Sequence, residues 1–348
     1  MRNLFAILIF IVLGFGSAFY VGFGMGKSLE PKAYDVEQEG LKEKVIIKFS
    51  HVVAENTPKG IAAQRFAQLV NEKSEGRIEV QVFPNGLLYR DDEELNALLR
   101  GDVQIIAPAT SKLTDLFPEW LILDLPYLFK DENDVARAFE GPLGNKLFST
   151  LENKGVKGLA LWDNGFKQMT SNSGPLIHPD DFFGQRFRVM PSLLIESQFR
   201  KLGVTPVPTP FNDVFKNLET GKLDGQENTL SNIYSKKFYQ VQKHMTISNH
   251  GYLGYAVITN EEFWNSLSES DQQIIKEAMD QSTKWLRENA KLLNEDVLKR
   301  IKQWPDIEIH FQTPEERKEW KQRLSLVYDE LFSILSPDLI QEVKNFKP

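Results

Sequence analysis

The sequence contains no cysteine in its 348 residues. Disulfide bonds, thiolate metal sites and cysteine nucleophiles are therefore all excluded. The absence says nothing about the cellular compartment, because an exported protein does not need disulfides to be stable.

An excess of basic residues is also lacking. The 41 lysines and arginines stand against 48 acidic residues, which gives a formal net charge of −7. This balance argues against nucleic acid as a partner, because nucleic-acid phosphates must be met by a basic surface. The negative charge also provides no general attraction for small anions. Any anion site must therefore be built from particular arginine or lysine side chains.

Signatures of catalysis are missing as well. The five histidines include no pair at the three- or four-residue spacing of zinc-binding helices, and neither G-x-S-x-G nor G-x-G-x-x-G occurs. The acidic pairs Asp91–Asp92 and Asp180–Asp181 begin predicted helices, where the helix dipole favours acids. We therefore expect a protein that is not an enzyme and that uses no metal or other cofactor.

The N-terminal residues are typical of an export segment. Residues 3–26 carry no charge, and residues 4–13 are continuously apolar. A run of this length spans a bilayer as a helix of about 20 residues, while the G-S-A stretch at 16–18 offers a cleavage site. Residues 1–27 are thus predicted to be a signal peptide or a membrane anchor, and residues 28–44 a polar tether. Either way, the remainder of the chain faces outward.

Apolar strands alternate with amphipathic helices after the tether. Val45–Phe49 and Ile78–Val82 are predicted strands on either side of a helix that begins at Pro58, which is a β-α-β unit. The pattern continues with a predicted helix over Glu132–Leu151 and a predicted strand over Val156–Trp162. This alternation favours an α/β fold with a mainly parallel sheet.

A second α/β set follows the turn at Asn172–Pro175, with a strand over Arg186–Met190 and a helix over Leu193–Leu202. A strongly helical stretch, Asp271–Gln303, then comes near the C-terminus. At about 1.5 Å per residue it reaches about 45 Å, which is longer than a single lobe needs. We therefore expect this helix to run across both halves of the molecule.

Two arginines stand two positions apart in the strand that ends at Pro191. We expect Arg186 and Arg188 to point to opposite faces of the strand. One of them can be solvated while the other projects into a cleft, where a guanidinium binds a carboxylate through two charge-assisted hydrogen bonds. The pattern therefore indicates a carboxylate site beside this strand.

Several separate segments resemble one protein family. They are FSHVV at 49–53, WDNGFKQMT at 162–170, GQRFRVMP at 184–191, TPVPTPF at 205–211 and LDGQEN at 223–228. All are similar to segments of the solute receptors of tripartite ATP-independent periplasmic (TRAP) transporters, in the dicarboxylate-binding branch. The similarity extends from about Val45 to Leu331, and several motifs in the right order make it specific.

The resemblance implies an α/β, two-lobed, periplasmic-binding-protein-like fold of type II. The long helix would span both lobes, and a cleft between the lobes would close on the ligand. Lobe I would comprise residues 45–164 and 254–293, and lobe II would comprise residues 165–253 and 294–348.

The resemblance also implies the residues of the site. Arg188 would grip the ligand carboxylate, while Asn228 adds an amide contact and Phe211 lines the pocket. Lys167 lies where many relatives have a second arginine, so the positive charge is kept and the planar fork is lost. Two further candidates for contact with a second carboxylate are His51 and His250.

The function that the resemblance implies is that of a binding subunit. It would capture a small carboxylate, with C4-dicarboxylates such as malate, succinate and fumarate favoured, and deliver it to integral membrane TRAP subunits. An alternative that uses the same pocket is a ligand-sensing receptor for a signalling kinase. A hydrolase of anionic polymers would need paired carboxylates across a cleft, and no such pair is marked. The sequence does not rank one carboxylate above another.

Overall fold

The computed structural model describes three stretches of the chain: residues 12–13, 44–152 and 154–346. The predicted signal or anchor at 1–27 and the predicted tether at 28–44 therefore fall almost entirely outside the described residues. Within the described stretches, no helix is both long enough and apolar enough to cross a membrane. The contacts divide the chain into residues 1–44 and residues 45–348, and the description below concerns the second unit.

Strands and helices alternate through this unit. The strands are β1 Val45–Ser50, β2 Ile78–Phe83, β3 Ile105–Ile106, β4 Val156–Ser171, β5 Arg186–Val189, β6 Thr205–Pro208, β7 Gly225–Thr229, β8 His244–Ile247, β9 Tyr252–Asn260 and β10 Glu308–Phe311. The α-helices are α1 Pro58–Lys73, α2 Glu94–Leu99, α3 Glu132–Glu140, α4 Pro142–Glu152, α5 Leu193–Lys201, α6 Val214–Glu219, α7 Leu230–Ser235, α8 Glu261–Ser266, α9 Glu269–Ile301, α10 Pro314–Leu324, α11 Leu326–Phe332 and α12 Pro337–Phe346. Short 3₁₀ helices occur at Thr110–Lys112, Pro118–Asp124, Pro179–Phe182, Phe211–Asp213 and Phe238–Gln240.

The strands form one ladder that passes through both lobes, in the order β2-β1-β3-β9-β4-β7-β5-β6, with β8 and β10 attached beside β4. β4 belongs to both lobes, because residues 156–166 pair with β9 and residues 167–171 pair with β7 and β8. The prediction of a two-lobed α/β fold is confirmed. Among the described residues the sheet is mixed: five strand pairings are parallel, and the four that contain β4 or β9 are antiparallel.

Two predicted elements differ from the structure. The helix predicted over 132–151 is two helices that meet at Gly141–Pro142, because proline lacks an N–H and its ring clashes with the preceding turn. The strand predicted to end at Trp162 continues to Ser171. Its register shifts within the Asp-Asn-Gly run at 163–165, and residues of these types are depleted from strands, so a pattern search misses the continuation.

Helix α9 extends over 33 residues and spans both lobes, as predicted. It packs on α1 and β4 and, farther along, on α7. The indole Nε1 of Trp162 donates to Thr283 Oγ1 at 2.8 Å and so ties β4 to the helix. Farther along α9, Asn294 Nδ2 donates to the Asn164 carbonyl at 2.7 Å, while Asn294 Oδ1 accepts from the Ser231 amide at 2.9 Å. The helix thus fixes the point where the two lobes share β4.

The C-terminal helices lie partly against the first lobe. Helix α12 packs on α4, and the ring centroids of Phe346 and Phe129 lie 5.7 Å apart. The boundaries given above for the two lobes stay a prediction.

Replacing Asn294 with alanine is expected to lower the free energy of unfolding by about 2–3 kcal/mol, because the Asn164 carbonyl and the Ser231 amide lose their buried partner. Urea unfolding should show a lower midpoint with an unchanged slope. Asn289→Ala is the matched control on the same helix: its side chain bonds the Trp285 carbonyl one turn earlier, and we expect a change below about 0.5 kcal/mol. Equal costs for the two variants would contradict this role of Asn294.

Candidate functional site

A cavity between the walls of the two lobes contains about 380 Å³ of empty space. Apolar surface with a few converging polar groups is typical of a small-molecule site. The cavity is lined by Val52, Val53, Asp91, Glu94, Pro108, Ala109, Lys112, Arg188, Met190, Phe211, Asn228, Asn232, Leu253 and Tyr255. Arginine, asparagine and aromatic side chains of the second lobe thus face charged side chains of the first.

The two arginines differ in burial, but the expectation that they point to opposite faces is wrong, because side chains two positions apart in a strand share a face. Their places along β5 separate them: Arg186 begins the strand, and Arg188 lies two residues nearer its carboxyl end. Arg186 is exposed and forms an ion pair with Asp224, whose Oδ1 lies 2.8 Å from Arg186 Nη2. Arg188 is 1% exposed and lines the cavity, and its Nε donates to the Thr209 carbonyl at 3.1 Å. Burial lowers its pKa, with Asp91 and Glu227 opposing the shift. Within residues 44–152 and 154–346, no carboxylate lies within 4.0 Å of its guanidinium.

Phe211 and Asn228 complete the wall of the second lobe. The Phe211 ring centroid lies 6.0 Å from the Arg188 guanidinium carbon and 5.0 Å from the Lys236 ammonium. Asn228 Oδ1 accepts from Asn232 Nδ2 at 2.8 Å. Its Nδ2 has no hydrogen-bond partner among the side chains and backbone that the structure describes, and the residue lines the cavity. Asn228 therefore offers one amide donor to a ligand oxygen.

The first lobe contributes charged residues that the sequence analysis did not assign to the site. Lys112 Nζ lies 2.7 Å from Asp91 Oδ2, and both side chains are largely buried. Glu94 is fully buried, and its Oε1 accepts from Ser50 Oγ at 2.9 Å. Its Oε2 has no partner in the described structure. Glu94 begins α2 and Asp91 lies in the loop just before it, so the sequence favoured a helix-capping role over a role in the site.

Lys59 lies behind this wall. Its ammonium is 0% exposed, donates to the Ala107 carbonyl at 2.7 Å and lies 3.7 Å from the centroid of the Tyr255 ring. Burial lowers the pKa of Lys59 to about 7, although Glu94 opposes the shift. The sequence contains a signal for this burial: Lys59 lies seven positions, or about two helical turns, before Phe66 and therefore on the same face of α1.

The structure places the six predicted site residues in two groups. Three of them line the cavity: Arg188, Asn228 and Phe211. Three do not line it: Lys167, His51 and His250. Contact of any of them with a ligand stays a prediction.

A buried network explains where Lys167 and His250 lie instead. Lys167 Nζ lies 2.7 Å from Glu227 Oε1, and His250 Nε2 lies 2.7 Å from Glu227 Oε2. The second ring nitrogen of His250 lies 2.7 Å from Ser248 Oγ. Burial favours the neutral form of Glu227, but the attraction of Lys167 and the hydrogen bond of His250 outweigh it and lower the pKa of Glu227 to about 2. Lys167 is thus already matched by a carboxylate of the protein.

His51 also lies outside the lining of the cavity. It is fully buried beside Phe49, and the two ring centroids lie 6.1 Å apart. Burial, reinforced by Lys59, lowers the pKa of His51 to about 3, so the imidazole is neutral at physiological pH. Within the described residues, no three His, Asp or Glu side chains are grouped as metal ligands.

A larger depression, with about 1040 Å³ of empty space, lies along α9. Two of its cations are matched by acids: Arg287 Nε lies 3.1 Å from Asp163, and Lys291 Nζ lies 3.4 Å from Glu132. None of the predicted site residues lines it. The smaller cavity at Arg188 is therefore the better candidate for an anion.

Glu227→Gln is expected to lower the free energy of unfolding at neutral pH by about 3–5 kcal/mol, because Lys167 is left buried without its carboxylate. Since ionised Glu227 stabilises the fold above the carboxyl's usual pKa of 4.5, the wild type should lose this stability as the pH falls from 4.5 to about 2, and the variant should not. The control is Glu219→Gln in the exposed pair with Lys216, where we expect less than about 0.5 kcal/mol. Urea unfolding at several pH values measures both, and similar curves for the two variants would contradict the assignment.

Comparison with known proteins agrees with these observations. The family model of DctP, described as bacterial extracellular solute-binding protein, family 7, matches residues 49–334. The C4-dicarboxylate-binding protein DctB of Bacillus subtilis is 50% identical over 343 residues, which cover 99% of this chain and 98% of that protein.

Two solved structures are also similar along most of their length. A TRAP periplasmic solute-binding protein from Sulfurospirillum deleyianum with bound succinate has a TM-score of 0.85 and 40% identity, and the match covers 87% of this chain and 99% of that one. Its counterpart from Shewanella oneidensis, also with bound succinate, has a TM-score of 0.85 and 41% identity, with 88% and 100% covered. The chain therefore belongs to the DctP family of bacterial extracellular solute-binding proteins and is a TRAP-type solute receptor.

Proposed function

We propose that this receptor captures a C4-dicarboxylate such as succinate, malate or fumarate and delivers it to the membrane subunits of a TRAP transporter. The observation that carries the proposal is the buried Arg188 guanidinium, which lines the cavity and has no carboxylate partner within the described chain. The C4-dicarboxylate-binding relative and the two succinate-bound structures support the choice of ligand.

The electrostatics of the cavity favour a carboxylate on Arg188. A buried charge is costly unless it is paired, so an incoming carboxylate relieves a cost that the folded protein already carries. The guanidinium fork matches both carboxylate oxygens, and Asn228 adds a neutral donor from the neighbouring strand. The distal end of a dicarboxylate then meets the wall of the first lobe, which carries Lys112 and Glu94.

Two polar contacts join residues of the two lobes beside the cavity. The Phe211 amide donates to Asp91 Oδ1 at 3.2 Å, and Arg90 Nη2 lies 2.5 Å from Asp213 Oδ2. Arg90 and Asp213 are 38% and 47% exposed, so their ion pair contributes little by itself. In our proposal the ligand supplies most of the free energy of closure, because it contacts both lobes only in the closed state.

Delivery requires that the receptor work outside the cytoplasm beside its transporter. We propose that residues 1–27 direct export and that they either are cleaved or stay as the anchor. The membership of an extracellular solute-binding family supports this location. The membrane subunits would be separate chains.

Arg188→Lys should weaken succinate binding about 10- to 100-fold while the fold persists, because an ammonium supplies a point charge and not two parallel hydrogen bonds. Isothermal titration calorimetry measures the dissociation constant. Arg186→Lys is the matched control on the same strand, and we expect an unchanged affinity because Arg186 faces solvent. Unchanged affinity in Arg188→Lys, with a loss in Arg186→Lys, would reverse the assignment.

Succinate and butyrate have the same chain length and differ in one carboxylate, so they test the second charge directly. Butyrate presents no second carboxylate to the polar groups of the first-lobe wall, and we expect it to bind at least about tenfold more weakly than succinate. Thermal-shift and calorimetric titrations at neutral pH give both affinities. Equal affinity for the two ligands would contradict the proposed dicarboxylate specificity.

A further inference from the structure

Glu94 is a buried carboxyl group that ordinary packing does not explain. It is 0% exposed and lines the cavity. Ser50 Oγ donates to Oε1 at 2.9 Å, whereas Oε2 has no partner within the described chain. A buried polar atom without a partner is costly, and one that lines a ligand cavity indicates that the partner belongs to the ligand.

We propose that Glu94 is a specificity residue that acts in its protonated form: its Oε2–H donates a hydrogen bond to the distal carboxylate of the dicarboxylate held by Arg188. This inference rests on the function proposed above. It implies that capture of the dianion is accompanied by retention or uptake of one proton at Glu94. No bond other than the O–H bond is made or broken.

The hydrogen-bond geometry distinguishes the two oxygens of Glu94. Because a hydroxyl donor already binds Oε1, that oxygen behaves as the carbonyl of a carboxylic acid. The acidic hydrogen is then left on Oε2, the oxygen without a partner. An ionised Glu94 would instead place a negative charge against the distal carboxylate, and like charges at close range repel.

The charges around Glu94 come from several elements. Lys59 on α1 and Lys112 on the 3₁₀ helix attract a carboxylate, while Asp91 from the preceding loop repels it. Neutral His51 follows Ser50 on β1, and Arg188 and Tyr255 line the same cavity from β5 and β9. Burial outweighs these contributions and raises the pKa of Glu94 to about 8. At neutral pH the acid is therefore mainly protonated, in agreement with the hydrogen-bond geometry.

The sign of the pH dependence follows from this assignment. The protonated form binds the dianion, so apparent affinity is reduced by the fraction of Glu94 that is ionised. Succinate affinity should therefore be nearly constant from neutral pH up to the pKa of Glu94 and should fall about tenfold per pH unit above it. Proton uptake on binding should rise over the same range, toward about one proton per succinate at about pH 9.

Calorimetry of the full-length chain tests this inference. Succinate is titrated at about pH 7 and at about pH 9, each in two buffers of different ionisation enthalpy, which gives the number of protons taken up. Glu94→Gln keeps a donor at the same place and cannot titrate. It should bind succinate within about threefold of the wild type at about pH 7, bind more tightly than the wild type at about pH 9, and take up no proton.

Glu93→Gln is the matched control, because it removes the same charge from the adjacent, exposed position and should keep the proton uptake of the wild type. Proton uptake that persists in Glu94→Gln would place the titrating group elsewhere, with Lys59 as the nearest candidate, and would overturn the proposal. Loss of succinate binding in a folded Glu94→Gln would overturn it too, because the ionised carboxylate would then be required. Thermal unfolding reports whether the variant folds.

Measurements of succinate binding to the wild-type protein alone also test the role of Glu94. Succinate binding with no proton uptake and a flat pH profile would overturn the role of Glu94 and leave the proposed function intact. Failure of succinate to bind at any pH would instead contradict the proposed function itself. Infrared difference spectra of the wild type provide an independent measure, since a protonated carboxyl band should be present in the succinate complex at about pH 9 and absent in Glu94→Gln.

Discussion

A positive charge that is buried without a carboxylate of its own is the constraint on which this structure depends. Removing a guanidinium from water is costly, and the carbonyl of Thr209 compensates for only part of the cost at Arg188. The fold maintains this arrangement because β5 lies between β6 and β7, with the exposed Arg186 at the first position of the strand and the buried Arg188 two residues farther along, beside the cavity. In our proposal the ligand supplies the missing carboxylate, and the closed state of the two lobes depends on it.

The buried pair of Lys167 and Glu227 is the opposite case, because each charge has its partner within the protein. Lys167 is matched by Glu227, and Glu227 is shared with His250, so this network needs no ligand. Glu227 and Asn228 are successive residues of β7, so the network holds the strand that presents the Asn228 amide to the cavity. Removing one partner of such a buried ion pair is strongly destabilising. Arg188, in contrast, has no carboxylate partner within the described protein and can bind a carboxylate of the ligand. The protein thus separates charges that stabilise the fold from charges that recognise a solute.

Much of this could be predicted from the sequence, because periodicity and motif are local properties. The length of α9 and the two-lobed fold follow from patterns within short segments or from the resemblance of several motifs. The different burial of Arg186 and Arg188 does not follow from strand alternation, since the two side chains share a face. The position of Lys167 could not be predicted, since a sequence shows a charge and not its partner across the sheet. Lys59 and Glu94 were missed because each begins a helix, where a polar residue usually faces water, although both share a helical face with buried apolar neighbours.

The central claim is that the Arg188 guanidinium receives a ligand carboxylate inside the cavity between the lobes. A crystal structure of the protein grown with succinate tests it most directly. We expect both oxygens of one carboxylate to lie at hydrogen-bond distance, about 2.7–3.2 Å, from Arg188 nitrogens, with Asn228 Nδ2 close to the same ligand. Succinate bound outside this cavity, or bound within it without contact to Arg188, would contradict this role of Arg188.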